Sequence, residues 1–125
     1  MSCGPVQYAP PRCRLRRLFT RPGVELRGYG ADDRVEVPST RIFVIGRVFD
    51  AGLQIDEMIG GRQTFGIYWS APRWELHVNN EWAIATVDGE RIGGFETRPL
   101  ENGSVVEIRH TQTEALVHRF RVELG

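Results

Sequence analysis

Few of the 125 residues belong to types that do chemistry. His77, His110 and His118 show no metal-ligand spacing and have no nearby cysteine or His-x-His pattern, so no metal site is expected. His77 alternates with Leu76 within Trp74-Glu75-Leu76-His77-Val78 and should face solvent or a loop partner, while His110 and His118 fall at the two ends of the last hairpin. Cys3 and Cys13 lie in a proline-rich leader, fit no zinc pattern and cannot form a disulfide framework; both are expected outside any core. No serine sits in a nucleophile elbow, and neither cysteine has a histidine in a partner segment. Lysine is absent, which removes Schiff-base chemistry and the P-loop. No catalytic residue and no cofactor are expected.

The arginines are the remaining candidates. All sixteen basic residues are arginine, against sixteen acids. A guanidinium grips anions bidentately where an ammonium does not, although a codon bias toward arginine is the better account of the composition as a whole. Zero net charge argues against a nucleic-acid or anionic-membrane binder. The charge is unevenly spread, with nine arginines and four acids up to Arg47, then seven arginines and twelve acids from Val48 onward. Either the halves neutralise each other across packed sheets or the chain is a dipole in space. Trp69, Trp74 and Trp82, near Phe65 and Tyr68, suit a stacking platform for sugars or bases, or a core; the absence of polar residues around them favours the core.

The elements that must position these side chains are strands. No stretch of a dozen residues keeps helical spacing, and short alternating segments between Gly, Pro, Asn and Asp recur throughout. Eleven strands are predicted, over 15–19, 24–27, 34–37, 41–45, 53–56, 66–70, 74–78, 83–87, 90–92, 105–109 and 116–124. Asp88-Gly89 predicts a type I′ hairpin, and Asn102-Gly103 another tight turn. The fold class is all-β, a sandwich of about eleven strands, since one open sheet of that size would be hard to keep soluble. Residues 1–13, with Pro5, Pro10 and Pro11, are predicted to be a flexible arm, and residues 14–125 the sandwich domain. No signal peptide is evident and no apolar run exceeds Ile42-Phe43-Val44-Ile45, so a soluble, cytoplasmic protein without membrane insertion is expected.

Several segments, taken in order, resemble the forkhead-associated (FHA) domain, of the SMAD/FHA type. They are Ile42-Phe43-Val44-Ile45-Gly46-Arg47, Gly61-Arg62-Gln63-Thr64-Phe65-Gly66-Ile67, Trp74-Glu75-Leu76, Thr86-Val87-Asp88-Gly89-Glu90-Arg91-Ile92, Pro99 to Ile108, and His118-Arg119-Phe120-Arg121-Val122. The resemblance covers roughly residues 41–124 and implies an eleven-stranded sandwich that binds phosphothreonine peptides with loops at one end.

Residue by residue, the resemblance puts the family's peptide-holding arginine at Arg47, its phosphate-binding serine at Gly61, the adjoining arginine at Arg62 and its loop-bracing histidine at Thr64. The second binding loop departs further. Its serine falls on Glu81, its peptide-reading asparagine on Ala83 and its glycine on Ile84; a shift of one or two residues brings Asn79 or Asn80 to the asparagine's place, and Thr86 is retained. A phosphothreonine needs several converging donors, so the lost hydroxyl and the Glu81 carboxylate weaken the site, while Gly60-Gly61 offers backbone amides as a small anion nest.

The resemblance therefore implies a non-enzymatic protein–protein interaction module, degenerate and phosphate-independent. Phosphothreonine-peptide binding through Arg47 and Arg62 is the alternative. A structural subunit of a larger assembly such as a bacterial secretion system is a further one. If Arg47 and Arg62 are instead structural, they should pair with acids such as Asp50, Asp56 or Glu57.

Overall fold

The structure is a computed structural model and describes residues 9–125. The first eight residues of the expected arm, with Cys3 and Pro5, lie outside the described residues. Twelve strands form: β1 Cys13–Thr20, β2 Glu25–Arg27, β3 Arg34–Val37, β4 Phe43–Gly46, β5 Leu53–Asp56, β6 Phe65–Ser70, β7 Arg73–Val78, β8 Ile84–Val87, β9 Glu90–Ile92, β10 Thr97–Leu100, β11 Val105–Arg109 and β12 Leu116–Leu124. They build two six-stranded sheets, the first in the order β3-β1-β12-β11-β8-β9 and the second β10-β7-β6-β4-β5-β2. Among these pairings only β4 with β5 is parallel.

Period-two alternation decides which side chains enter the sandwich. On the first sheet Leu15, Val106, Ile108, Phe120 and Val122 point inward and are buried; on the second, Ile45, Leu53, Ile55, Ile67 and Leu76 meet them. Each such side chain contributes about 1.5–3 kcal/mol by leaving water. No helix forms among the described residues, and none is long and apolar enough to cross a membrane.

Local chemistry bears out the turns. Asp88 and Gly89 both adopt positive φ, 51° and 85°, as a type I′ turn requires, and join β8 to β9. The strand that sequence reading passes over is β10. Its Pro99 has no N–H to give to a ladder, which masks a strand signal, but β10 is an edge strand bonded to β7 alone and tolerates the loss.

One expectation is overturned at the start of the chain. Cys13 is fully buried core, opening β1 between Val37 of β3 and Leu124 of β12, and burial pushes its thiol up to about 12. The residues just before it are also tied down. The Pro11 carbonyl accepts from Trp74 Nε1 at 3.0 Å, the Arg12 carbonyl accepts from Gly125 N at 2.8 Å, and the Arg12 side chain pairs with Glu36. Two prolines in a row read as an extended leader, yet Pro11 supplies the carbonyl that the buried indole needs.

The tryptophans do not form a platform. Trp74 is buried with Trp69 set edge-on against it, 5.6 Å between centroids, at the β6–β7 hairpin, whereas Trp82 is exposed in the β7–β8 loop at the opposite end of β7. His77 bonds Thr97 Oγ1 across the β7–β10 ladder at 2.9 Å. The His110 ring accepts from the backbone amides of Gln112 and Thr113, capping the last turn. His118 is fully buried, bonded to Tyr29 Oη at 2.6 Å and Thr20 Oγ1 at 3.1 Å.

The candidate loop-end site

Four connections meet at one end of the sandwich: 47–52 after β4, 57–64 after β5, 79–83 after β7 and 110–115 after β11. Backbone bonds knit them together. Val48 N donates to the Arg62 carbonyl at 3.0 Å, Asn79 N to the Thr64 carbonyl at 2.9 Å and Thr111 N to the Met58 carbonyl at 2.9 Å.

Gly46 is the residue that allows this approach. A Cβ there would run into the carbonyl oxygen of Arg62, so only glycine lets the end of β4 lie against the 57–64 loop. Arg47 follows directly, and the Val48–Arg62 bond fixes its backbone beside that of Arg62.

Thr64 is buried, and its Oγ1 closes the loop on itself, donating to the Gly61 carbonyl at 2.9 Å and accepting from Gly61 N at 3.0 Å. This braces the loop, the task that the resemblance gives to a histidine here. Gly60, at φ 142°, lies so close to the neighbouring loop that a Cβ would sit 2.7 Å from both Asn80 Nδ2 and Thr64 Cγ2. Asn80 Oδ1 accepts from the amides of Trp82 and Ala83, at 3.0 and 2.8 Å, which shapes the 79–83 loop and turns its Nδ2 donor toward Gly60. Asn79 Nδ2 is committed to the Gln63 carbonyl at 3.1 Å.

Two hollows result, and they share Gly60 and Gly61. One is lined by Val48, Arg62, Gln63, Asn79 and Asn80, the other by Arg47, Met58, Trp82, Thr111 and Gln112. Of the residues expected at the site, Arg47, Gly61, Arg62, Asn79 and Asn80 therefore line this trough, and Thr64 lies beneath it. Thr86 does not join them. It lies on the outer face of the first sheet, opposite Glu107, to which its hydroxyl donates at 3.3 Å. Met58, Trp82, Thr111 and Gln112 were not anticipated here. The turn-rich run Asn79-Asn80-Glu81 just before Trp82 was the available signal that this indole rides on a loop tip rather than in the core.

The electrostatics of the trough are one-sided. Arg47 and Arg62 are exposed, and no carboxylate among the described residues lies within ion-pair distance of either. The pairing with Asp50, Asp56 or Glu57 that a structural role predicts is not formed; Glu57 instead accepts from Met58 N and faces His110. Glu81 lines neither hollow, and its backbone packs where Gly94 leaves room on the far side of the loop. Two cations, an amide donor and a glycine pair with no opposing carboxylate suit an anion, and they offer neither a nucleophile nor a general base.

No protein-family model matches the chain, and no curated protein does. Solved structures do. An FHA domain of an Arabidopsis thaliana hypothetical protein superposes with a TM-score of 0.68 at 12% identity, over 99% of this chain and 94% of that one. The Mycobacterium tuberculosis Rv1747 FHA-1 domain gives 0.63 at 15% identity, over 92% of this chain and 99% of that one. An FHA domain described for phosphothreonine-dependent interactions gives 0.63 at 17% identity, over 91% and 97%. At these identities the likeness concerns architecture, and the architecture it establishes for nearly the whole chain is that of the forkhead-associated domain.

Proposed function

We propose that the protein is a non-enzymatic interaction module that binds a phosphothreonine-containing segment of a partner protein in the loop-end trough. One observation carries this reading: Arg47 and Arg62 stand at the same loop end, beside Gly60-Gly61, with no carboxylate among the described residues taking up either charge. A phosphate with nearly two negative charges and three acceptor oxygens matches two guanidiniums, the Asn80 amide and backbone N–H groups. The absent serine hydroxyl is offset by these donors, and Thr64 keeps the Gly61 backbone in place. The structural neighbour described for phosphothreonine-dependent interactions gives the reading its substrate class.

The test is a peptide library degenerate around a central phosphothreonine, titrated beside its unphosphorylated twin. Phosphate-dependent binding that Arg47→Ala and Arg62→Ala each weaken is the expected outcome. Equal binding of both libraries, or none at millimolar peptide, would favour the phosphate-independent docking module instead.

A further inference from the structure

We infer that the outer face of the first sheet is a second docking surface, fitted to a single extended acidic segment of a partner protein. The register places Arg34 opposite Arg16 and Arg16 opposite Arg121, a row of three arginines crossing β3, β1 and β12. All three point away from the core, because their neighbours Leu15, Phe120 and Val122 are buried on the inner face. With strands about 4.8 Å apart, the row spans roughly 10 Å.

Like charges directly opposite one another destabilise a sheet, so Arg16 and Arg121 gain nothing from facing each other across the ladder. Arg34 is bonded to Glu123 at 2.8 Å. Arg16 and Arg121 are exposed and have no carboxylate within ion-pair distance among the described residues, and residues 1–8 contain neither Asp nor Glu. Arg14 stands beside them on β1, opposite Glu123 and Glu36. The Glu123 carboxyl is held below its usual range, chiefly by the Arg34 hydrogen bond, with Arg14 and Arg16 adding to it.

What surrounds the row selects its occupant. Glu36 lies on one side of it, where Glu123 reaches across β1 to Arg34, and Glu107, held by Arg119 at 2.7 Å, on the other. A duplex or a membrane surface would have to cover those carboxylates, whereas one extended chain fits between them. Phe19, exposed opposite Arg119 beside the row, is a single ring and not a run of them, so single-stranded nucleic acid finds no platform on which successive bases stack. Carboxylates from an acidic segment can each be gripped by a guanidinium fork. The row crosses the middle of β1 and β12, lines neither hollow of the loop-end trough, and does not depend on what that trough binds.

The test is fluorescence anisotropy with a labelled glutamate homopeptide on the whole chain and two double variants. One is Arg16→Gln with Arg121→Gln. The other, Arg27→Gln with Arg41→Gln, removes the same charge from two exposed arginines off this face. The first double should weaken binding by at least about fivefold, as two exposed charge contacts are lost, with an unchanged or higher melting temperature, while the control leaves binding within about twofold. Absent binding, equal losses in the two doubles, or a lower melting temperature for the first would overturn the proposal. So would tighter binding of an oligothymidylate or of phosphatidylserine vesicles than of the glutamate peptide.

Discussion

Arg47 and Arg62 differ from other arginines of the chain in company rather than in charge. Arg34, Arg98 and Arg119 each hold a carboxylate, whereas Arg62 lines a hollow with Gln63, Asn79 and Asn80, and Arg47 the adjoining one with Met58, Trp82, Thr111 and Gln112. A hydrogen bond to a charged group is worth about 1.5–3 kcal/mol, so each alanine variant should cost roughly ten- to a hundredfold in phosphopeptide affinity. Lysine at either position keeps the charge and loses the fork, so its affinity should fall between wild type and alanine in the same titration. A second prediction concerns His118. Burial, reinforced by the Arg17 charge, holds its ring down to about 4, so the native state carries it neutral where the unfolded chain takes up a proton near 6.5. The contribution to stability is complete above pH 6.5 and is lost as pH falls toward 4, on the order of 3 kcal/mol in all. Imidazole NMR should show this ring neutral at pH 5 while unfolding free energy declines; a ring titrating near 6.5 would contradict the account.

At the scale of elements, the site depends on how closely β4 and the 57–64 loop approach. Gly46→Ala must displace the Arg62 carbonyl, and overpacking of this kind costs about 1–3 kcal/mol. Thr64→Val keeps the shape but strips both bonds to Gly61, so denaturant melts should show a loss of about 1–3 kcal/mol, with phosphopeptide affinity falling alongside; Thr64→Ser should restore both. Gly46, Arg47, Gly61, Arg62 and Thr64 were legible in sequence because they sit in short motifs beside alternating strands. Met58 was not, and for Trp82 the run Asn79-Asn80-Glu81 signals a loop tip but not which other loops that tip meets. Thr86 was misplaced for a related reason. A motif gives its position along β8 but not the side of the sheet its hydroxyl occupies, and there Glu107 takes it.

Across the whole molecule, the charge split along the sequence does not cancel between halves. Arg34–Glu123 is the single ion pair among the described residues joining the part up to Arg47 to the part after it; the others form within a half. The excess of arginine before Arg47 emerges instead on the outer face of β1 and β3 and at the loop end. The all-β class, the sandwich and most strand positions could be read from alternation and turn chemistry alone. The start of the domain could not, since proline signals an extended backbone and not whether a buried indole waits for its carbonyl. A chain beginning at Leu15 loses the Pro11–Trp74 bond, the Arg12 contacts and the buried Cys13 side chain, itself worth about 1 kcal/mol or more. It should unfold at clearly lower denaturant than a chain beginning at Ala9; equal midpoints would return those residues to the arm.

The central claim is that the loop end is an anion site for phosphothreonine, and backbone amide NMR tests it most directly. Addition of the best phosphothreonine peptide should move the Gly60, Gly61, Arg62 and Asn80 resonances together and leave the outer face of β1 and β12 unmoved, while the unphosphorylated peptide moves none of them. Shifts centred elsewhere, or the same shifts without the phosphate, would contradict it.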